Sequence, residues 1–197
     1  MPKKKSKETT PRALPTKFRL FAADVSLRRP GFAMFTVDDH EVRLDWTDVL
    51  DNKTKKKPTG ELLDDIINKL FELWNKDESD LPLVLVREKN FMNSVRAQAT
   101  NNLLAEAIGI CDWASWSFGY KGLTWEEIFP VSIKKLITGK GKAEKDEVAA
   151  ALPKYVGPHE YKTDDESDAV AVGVAFLIKE GRLESGEEKE LHLPSEK

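Results

Sequence analysis

Apolar residues along the chain fall into short continuous runs and into stripes at helical spacing, and the two alternate. Residues 18–23 are apolar except for Arg19, and the run stops at Asp24. A near-continuous apolar stretch bounded by turn residues predicts a central strand covered on both faces. Pro30-Gly31 supplies turn chemistry, and residues 32–37 are again apolar and rich in strand formers, so a second strand follows. Residues 41–46 alternate polar and apolar, the pattern of a half-buried third strand. Leu63, Ile66, Ile67, Leu70 and Trp74 then recur at helical spacing, with Thr59 as the candidate cap. Residues 81–86 read as a fourth strand ending near Glu88. From Asn93 or Ser94 to Trp113 the pattern is a long helix with Leu103, Leu104, Ala107, Ile108 and Cys111 on one face. Residues 125–129 read as a fifth strand. Ser132 is a candidate cap for a short helix that stops at Gly139, and residues 143–152 form another, stopped by Pro153. Thr163-Asp-Asp-Glu166 has the capping-box pattern and opens a helix over 164–179 whose apolar stretch 169–177 predicts burial. Gly181 ends it. The succession predicts an α/β fold, a mixed five-stranded sheet flanked by helices.

Length and composition add boundaries to this picture. A chain of 197 residues suits one domain with tails. Residues 1–17 are polar and basic and are expected to be a disordered arm; residues 18–181 form the domain; residues 182–197 read as a loose acidic tail. No apolar run has the length of a membrane span, and the basic N-terminus lacks the apolar segment of a signal peptide. The single Cys111 excludes an intrachain disulfide and a cysteine zinc site. The expectation is a soluble, cytoplasmic protein with no membrane partner.

The net charge of −3 gives no hint of nucleic acid, but its distribution does. Lys3, Lys4, Lys5, Lys7, Arg12 and Lys17 make a basic arm, and Lys53, Lys55, Lys56 and Lys57 a second cluster, read as a solvated loop. Lys134, Lys135, Lys140, Lys142 and Lys145 make a third, around Thr138-Gly-Lys-Gly-Lys142. Local positive patches bind phosphates despite an acidic average. The glycine-lysine turn lacks the spacing of a Walker phosphate loop. It reads either as a backbone-phosphate contact or as a solvated helix–helix turn.

The candidate chemistry lies in the acids. Asp24 and Glu88 stand at strand ends, where open α/β sheets place their ligands. Asp165 and Asp168 lie three apart in the first turns of the buried helix, so they share a face. Alone, Asp24 reads as a turn residue that ends a strand, and Asp165 as an acid favoured by the helix dipole. Together, if the helix packs its amino end against the strand ends, four carboxylates converge. Such a cluster calls for hard divalent cations, and a pair of ions suits phosphodiester cleavage.

Four blocks, in this order, resemble the RuvC-like Holliday junction resolvases of the ribonuclease H superfamily, over about residues 18–178. They are Asp24 with Gly31-Phe32; Glu88-Lys-Asn-Phe-Met92; Ile133-Lys134 through Thr138-Gly-Lys-Gly-Lys-Ala-Glu-Lys145; and Asp165-Glu-Ser-Asp168-Ala-Val-Ala. The resemblance implies a ribonuclease H-like fold and a homodimer that binds four-way DNA junctions and nicks two strands symmetrically. It implies two Mg²⁺ ions, with Mn²⁺ able to substitute, held by Asp24, Glu88, Asp165 and Asp168, and no small-molecule cofactor. Lys134 and Lys145 would contact the backbone near the scissile phosphate, with Lys135, Lys140 and Lys142 on the DNA beside them. Phe91 would stack on unpaired junction bases.

The chain departs from the family's pattern in places. Val25-Ser26 follow the first acid where the family often has Pro-Gly, and Arg87 precedes Glu88 where an apolar residue is common. These departures, with the basic arm, the lysine loop and the acidic tail, resemble a divergent or phage-type member. Two other readings stand beside the junction resolvase: a broader flap, fork or hybrid nuclease on the same fold, and a non-catalytic junction-binding module. Retention of four acids argues against the last.

Overall fold

The computed structural model describes residues 14–39, 41–52, 56–89, 98–119 and 123–186. In chain order its strands are β1 (Phe18–Asp24), β2 (Gly31–Val37), β3 (Val42–Val49), β4 (Leu83–Glu88) and β5 (Glu126–Ile128). Its helices are α1 (Thr59–Asn75), α2 (Gln98–Ser117), α3 (Pro130–Thr138), α4 (Lys145–Ala151), α5 (Pro153–Val156) and α6 (Asp164–Lys179). The strands form one mixed five-stranded sheet, as the sequence predicts, and its order is β3-β2-β1-β4-β5. β1 to β3 form an antiparallel meander, whereas β4 and β5 run parallel to β1, so Asp24 and Glu88 end neighbouring strands at the same edge of the sheet.

The central strand is covered on both faces. Phe18, Leu20 and Ala22 pack with α3, α4 and α6, while Phe21 and Ala23 pack with α1 and α2. Every position of β1 before Asp24 is buried. Burial of such apolar surface stabilises by roughly 25 cal/mol per Å², so this strand has no free edge or face to give up. Arg19, the one polar residue of the run, is buried at 9% exposure. Its guanidinium pairs with Asp45 of β3 and with Asp77, 3.2 Å away just after α1.

α6 crosses the sheet over β1 and β2, and the close approach depends on glycine. A Cβ at Gly173 would come 2.7 Å from Phe35 Cζ and closer still to Cε2. Gly173→Ala is therefore expected to lower stability by about 1–3 kcal/mol through overpacking, although alanine is the better helix former by about 1 kcal/mol. Urea denaturation checks this. Phe35→Leu should recover part of the loss in the double variant, and a Gly173→Ala protein more stable than wild type would show that the helix has room to move.

Helix starts differ from the sequence reading in an instructive way. Thr59 is the first helical residue of α1 behind Pro58, with no side-chain cap, and Ser132 lies inside α3, which opens on Pro130 at its first position. Pro130 supplies the start of α3, because its fixed φ suits the first turn and its missing N–H is not needed there, while Pro58 stands at the cap position of α1. Pro153 does not merely stop α4; it opens the short α5. Thr163 and Glu166 do form the expected reciprocal box at the start of α6. β3 runs three residues beyond the alternating stretch, β4 begins two residues later and reaches Glu88, and β5 is confined to 126–128. The described part of the long helix begins at Gln98 and continues to Ser117.

Residues assigned from sequence to the two tails are packed where they are described. The Arg182 guanidinium donates to the carbonyls of Pro15, at 2.9 Å, and Thr16. The Gly186 amide donates to the Leu136 carbonyl at 2.9 Å. Arg87, buried at 6% exposure, joins three elements: it pairs with Asp112 of α2 at 2.7 Å and Glu127 of β5 at 3.1 Å, beneath the Trp125 ring. Among the described residues no helix is long and apolar enough to cross a membrane.

Candidate active site

The site is built by three close placements. The strand register sets Ala23 beside Arg87, which brings Asp24 and Glu88, one residue on, to the same sheet edge. Asp24 also pairs across the first hairpin with Gly31. Over Gly31 lies the backbone of Asp165: a Cβ there would fall 2.5 Å from its carbonyl carbon and closer to the oxygen. Glycine is needed at this point for space, and it seats the first turn of α6 directly above the two strand ends.

Asp24, Glu88 and Asp168 line one cavity of about 200 Å³, together with Lys134 of α3 and Lys145 of α4. Pro130, Ile133, Val148 and Ala171 form its apolar wall. Lys145 is ion-paired with Asp168. That hydrogen bond raises the Lys145 pKa more than burial lowers it. Burial pushes the Asp24 carboxyl up to about 7, reinforced by the charges of Asp168 and Glu88 and opposed by Lys145. Glu88 is raised for the same reasons, burial first and Asp168 second, with Lys145 and Lys134 opposing. The carboxylate cluster thus raises pKa values as crowded acids should, but desolvation outranks mutual repulsion as the cause.

Asp165 stands apart from the other three. It lines a second cavity, of about 430 Å³, with Val25, Leu27, Arg28 and Arg29 of the β1–β2 turn and Leu103 and Leu104 of α2. Its Oδ2 lies 3.1 Å from Arg29 Nε. Its charge still reaches Asp24, whose pKa it raises slightly. Of the lysines expected on DNA, only Lys134 and Lys145 reach the cavity. Lys135, Lys140 and Lys142 are exposed on α3 and the α3–α4 turn, where Lys140 lies 3.5 Å from Glu147. Phe91 lies outside the described residues. The sequence reading passed over Arg29; two adjacent arginines in the turn after the first acid were the available signal.

The donor set suits a hard divalent cation. Its ligating atoms are carboxylate oxygens, and the three acids of the cavity outnumber its two lysines. Among the described residues no group of three or more His, Cys, Asp or Glu is drawn together tightly enough to enclose an ion. Lys145 engages Asp168 and Arg29 engages Asp165 instead.

No family model matches the chain. Individual relatives do. The crossover junction endodeoxyribonuclease RuvC of Prochlorococcus marinus (strain MIT 9312) is 30% identical over 167 residues, which is 83% of this chain and 98% of that protein. The chain belongs to the RuvC family of Holliday junction resolvases. The RuvC of Prochlorococcus marinus subsp. pastoris is 29% identical over 165 residues, covering 98% of its length. Among solved structures, Thermus thermophilus RuvC in complex with a Holliday junction substrate superposes with a TM-score of 0.69 at 20% identity, covering 84% of this chain and 97% of that one. The yeast mitochondrial Holliday junction resolvase Ydc2 superposes at 0.59 with 14% identity, covering 85% and 80%. The likeness to RuvC thus covers more than four fifths of this chain, in sequence and in fold.

Proposed function

We propose that the chain is a metal-dependent endonuclease that resolves four-way DNA junctions by paired, symmetric incisions. The observation that carries this reading is the cavity at the carboxyl ends of β1 and β4, where Asp24, Glu88 and Asp168 meet Lys134 and Lys145. Asp24, Glu88, Asp165 and Asp168 would hold divalent cations, Mg²⁺ or Mn²⁺. Bound there as a pair, such ions supply Lewis acidity at the scissile phosphate and stabilise the attacking and leaving oxygens. Lys134 and Lys145 put positive charge where phosphate charge develops, and groups so placed act most strongly in the transition state. Ile133, Val148 and Ala171 give the cavity an apolar wall beside them. Lys135, Lys140 and Lys142 lie on the outer surface beside this cavity, suited to the DNA backbone rather than to the reacting phosphate. Residues 1–13 carry further lysines and would add to backbone affinity, acting with DNA inside the cell.

A cleavage panel tests the reading: four-way junctions, flaps, forks, RNA–DNA hybrids and linear duplex, each with Mg²⁺ and with EDTA. Junctions should be cut at two symmetric positions and only with the metal. Equal cutting of flaps would assign the broader nuclease, and binding without cutting the non-catalytic module.

Paired incision requires two sites related by a twofold axis, and α2 offers a surface for it. Trp113 and Trp116, one turn apart on this helix, are 49% and 59% exposed, and Leu103 is 37% exposed. Exposed tryptophans at this density suit the core of a protein interface. The expected result is a dimer in sedimentation at micromolar protein. A variant carrying Trp113→Glu and Trp116→Glu should sediment as a monomer and lose coordinated double nicking. An unchanged dimer would move the interface elsewhere.

A further inference from the structure

Asp165 and Asp168 do not share a cavity, and the residue that holds Asp165 in its own is Arg29. Its backbone is held in place by its own turn. The Arg29 amide donates to Ser26 Oγ at 3.0 Å, and the carbonyls of Arg28 and Pro30 accept from the Asn52 and Leu50 amides at 2.9 and 3.1 Å. Asn52 is itself buried at 1% exposure and donates to Asp65 of α1 at 3.0 Å. From this clamped turn Arg29 Nε reaches Asp165 Oδ2 at 3.1 Å, with Asp51 at 4.0 Å on its other side. The contact is an ion pair without hydrogen-bond alignment, so Nε is buried and lacks a hydrogen-bond partner. At Nε, therefore, Arg29 holds Asp165 by charge rather than by a directional bond.

We infer that Arg29 is a positioning residue that competes with the divalent cation for Asp165, so that the metal set is completed only when this ion pair opens. This rests on the metal-dependent reading above and deepens it. A fixed cation beside a metal ligand lowers metal affinity in two ways: it repels the incoming ion, and it must release the carboxylate. The second effect is specific to the pair. The neighbouring Arg28, exposed in the same cavity, shares only the first.

The test is Mn²⁺ binding to metal-stripped protein, read by calorimetry and by the loss of the free-ion electron paramagnetic resonance signal, with no DNA present. Arg29→Gln should bind Mn²⁺ about tenfold more tightly than wild type, equivalent to about 1.4 kcal/mol. Arg28→Gln should bind within about twofold of wild type, because charge at the surface is screened. In an Asp165→Asn background, Arg29→Gln should change affinity by no more than about twofold, the part owed to repulsion alone, which isolates the pairwise coupling. Arg29→Lys, which keeps the charge on a different geometry, should fall between wild type and Arg29→Gln. Melting temperatures confirm that each variant is folded. Equal or weaker Mn²⁺ binding by Arg29→Gln, or the same gain in the Asp165→Asn background, overturns the inference while leaving the nuclease reading intact. No Mn²⁺ binding by wild type or Arg29→Gln at millimolar metal overturns both.

Discussion

Asp24→Asn is expected to abolish junction cleavage while making the metal-free protein more stable above neutral pH. Burial raises the Asp24 carboxyl from 3.8 to about 7, with Asp168 and Glu88 adding to the shift. The folded state therefore binds a proton that the unfolded chain has already lost between those two values. Stability is greatest below the unfolded pKa, falls as pH rises through this window, and levels off above about 7. At about 1.4 kcal/mol per unit, the full window of roughly three units sets an upper limit of about 4 kcal/mol at pH 8. Asparagine has the same shape and no charge to desolvate, so its melting curve should lose most of that pH dependence. A divalent cation reverses the order. Wild type should gain about 2.7 kcal/mol at a hundredfold excess over its dissociation constant, and the variant clearly less. Cleavage should fall about a thousandfold or more, equivalent to about 4 kcal/mol of transition-state stabilisation, with junction binding retained because lysines outside the acid cluster carry it. Thermal melts from pH 4 to 8 in EDTA and in Mg²⁺, with single-turnover cleavage, decide the matter. A variant less stable than wild type at pH 8 in EDTA would assign Asp24 a structural role.

Gly31→Ala should be the most damaging single methyl in the protein. The added Cβ meets the carbonyl carbon of Asp165 at 2.5 Å and the amide nitrogen of Glu166 at 3.2 Å. Both are backbone atoms of a capped helix, so no side chain can swing aside. The helix start must lift, the capping box of Thr163 and Glu166 must strain, or the hairpin pair of Asp24 and Gly31 must open. A loss of about 3 kcal/mol or more is expected, since backbone overlap leaves less relief than ordinary overpacking. At a temperature where the variant is still folded, cleavage should also fall, because the displaced turn carries Asp165 and precedes Asp168. Urea denaturation and cleavage at low temperature measure the two effects separately. Stability within about 0.5 kcal/mol of wild type would mean that α6 sits less tightly on the hairpin than described.

Local signals in the sequence carried most of the architecture. The apolar runs identified both faces of β1, and Thr163 with Glu166 marked the start of α6, because each depends only on near neighbours. Thr59 and Ser132 misled because a polar residue near a helix start is a weaker signal than the proline beside it. Arg19 looked like a blemish in a core strand; its partners, Asp45 and Asp77, lie 26 and 58 residues away and no local pattern points to them. The convergence of Asp24, Glu88 and Asp168 followed from strand ends and helix phase. Asp165 did not join them, since residues three apart on a helix differ by about 60° in direction, enough for two acids on one face to open into different cavities. In its own cavity Asp165 meets Arg29, a partner 136 residues away in the chain.

Arg87 has a mechanical meaning beyond its charge pairs. One guanidinium fastens Asp112 on a surface helix and Glu127 on an edge strand to the backbone position immediately before Glu88. The arginine is buried while Asp112 and Glu127 are 52% and 33% exposed, so the three elements are tied at one point by a guanidinium that has nowhere else to go. The helix that carries the exposed tryptophans is thus joined, through a single side chain, to the residue next to an acid of the candidate active site.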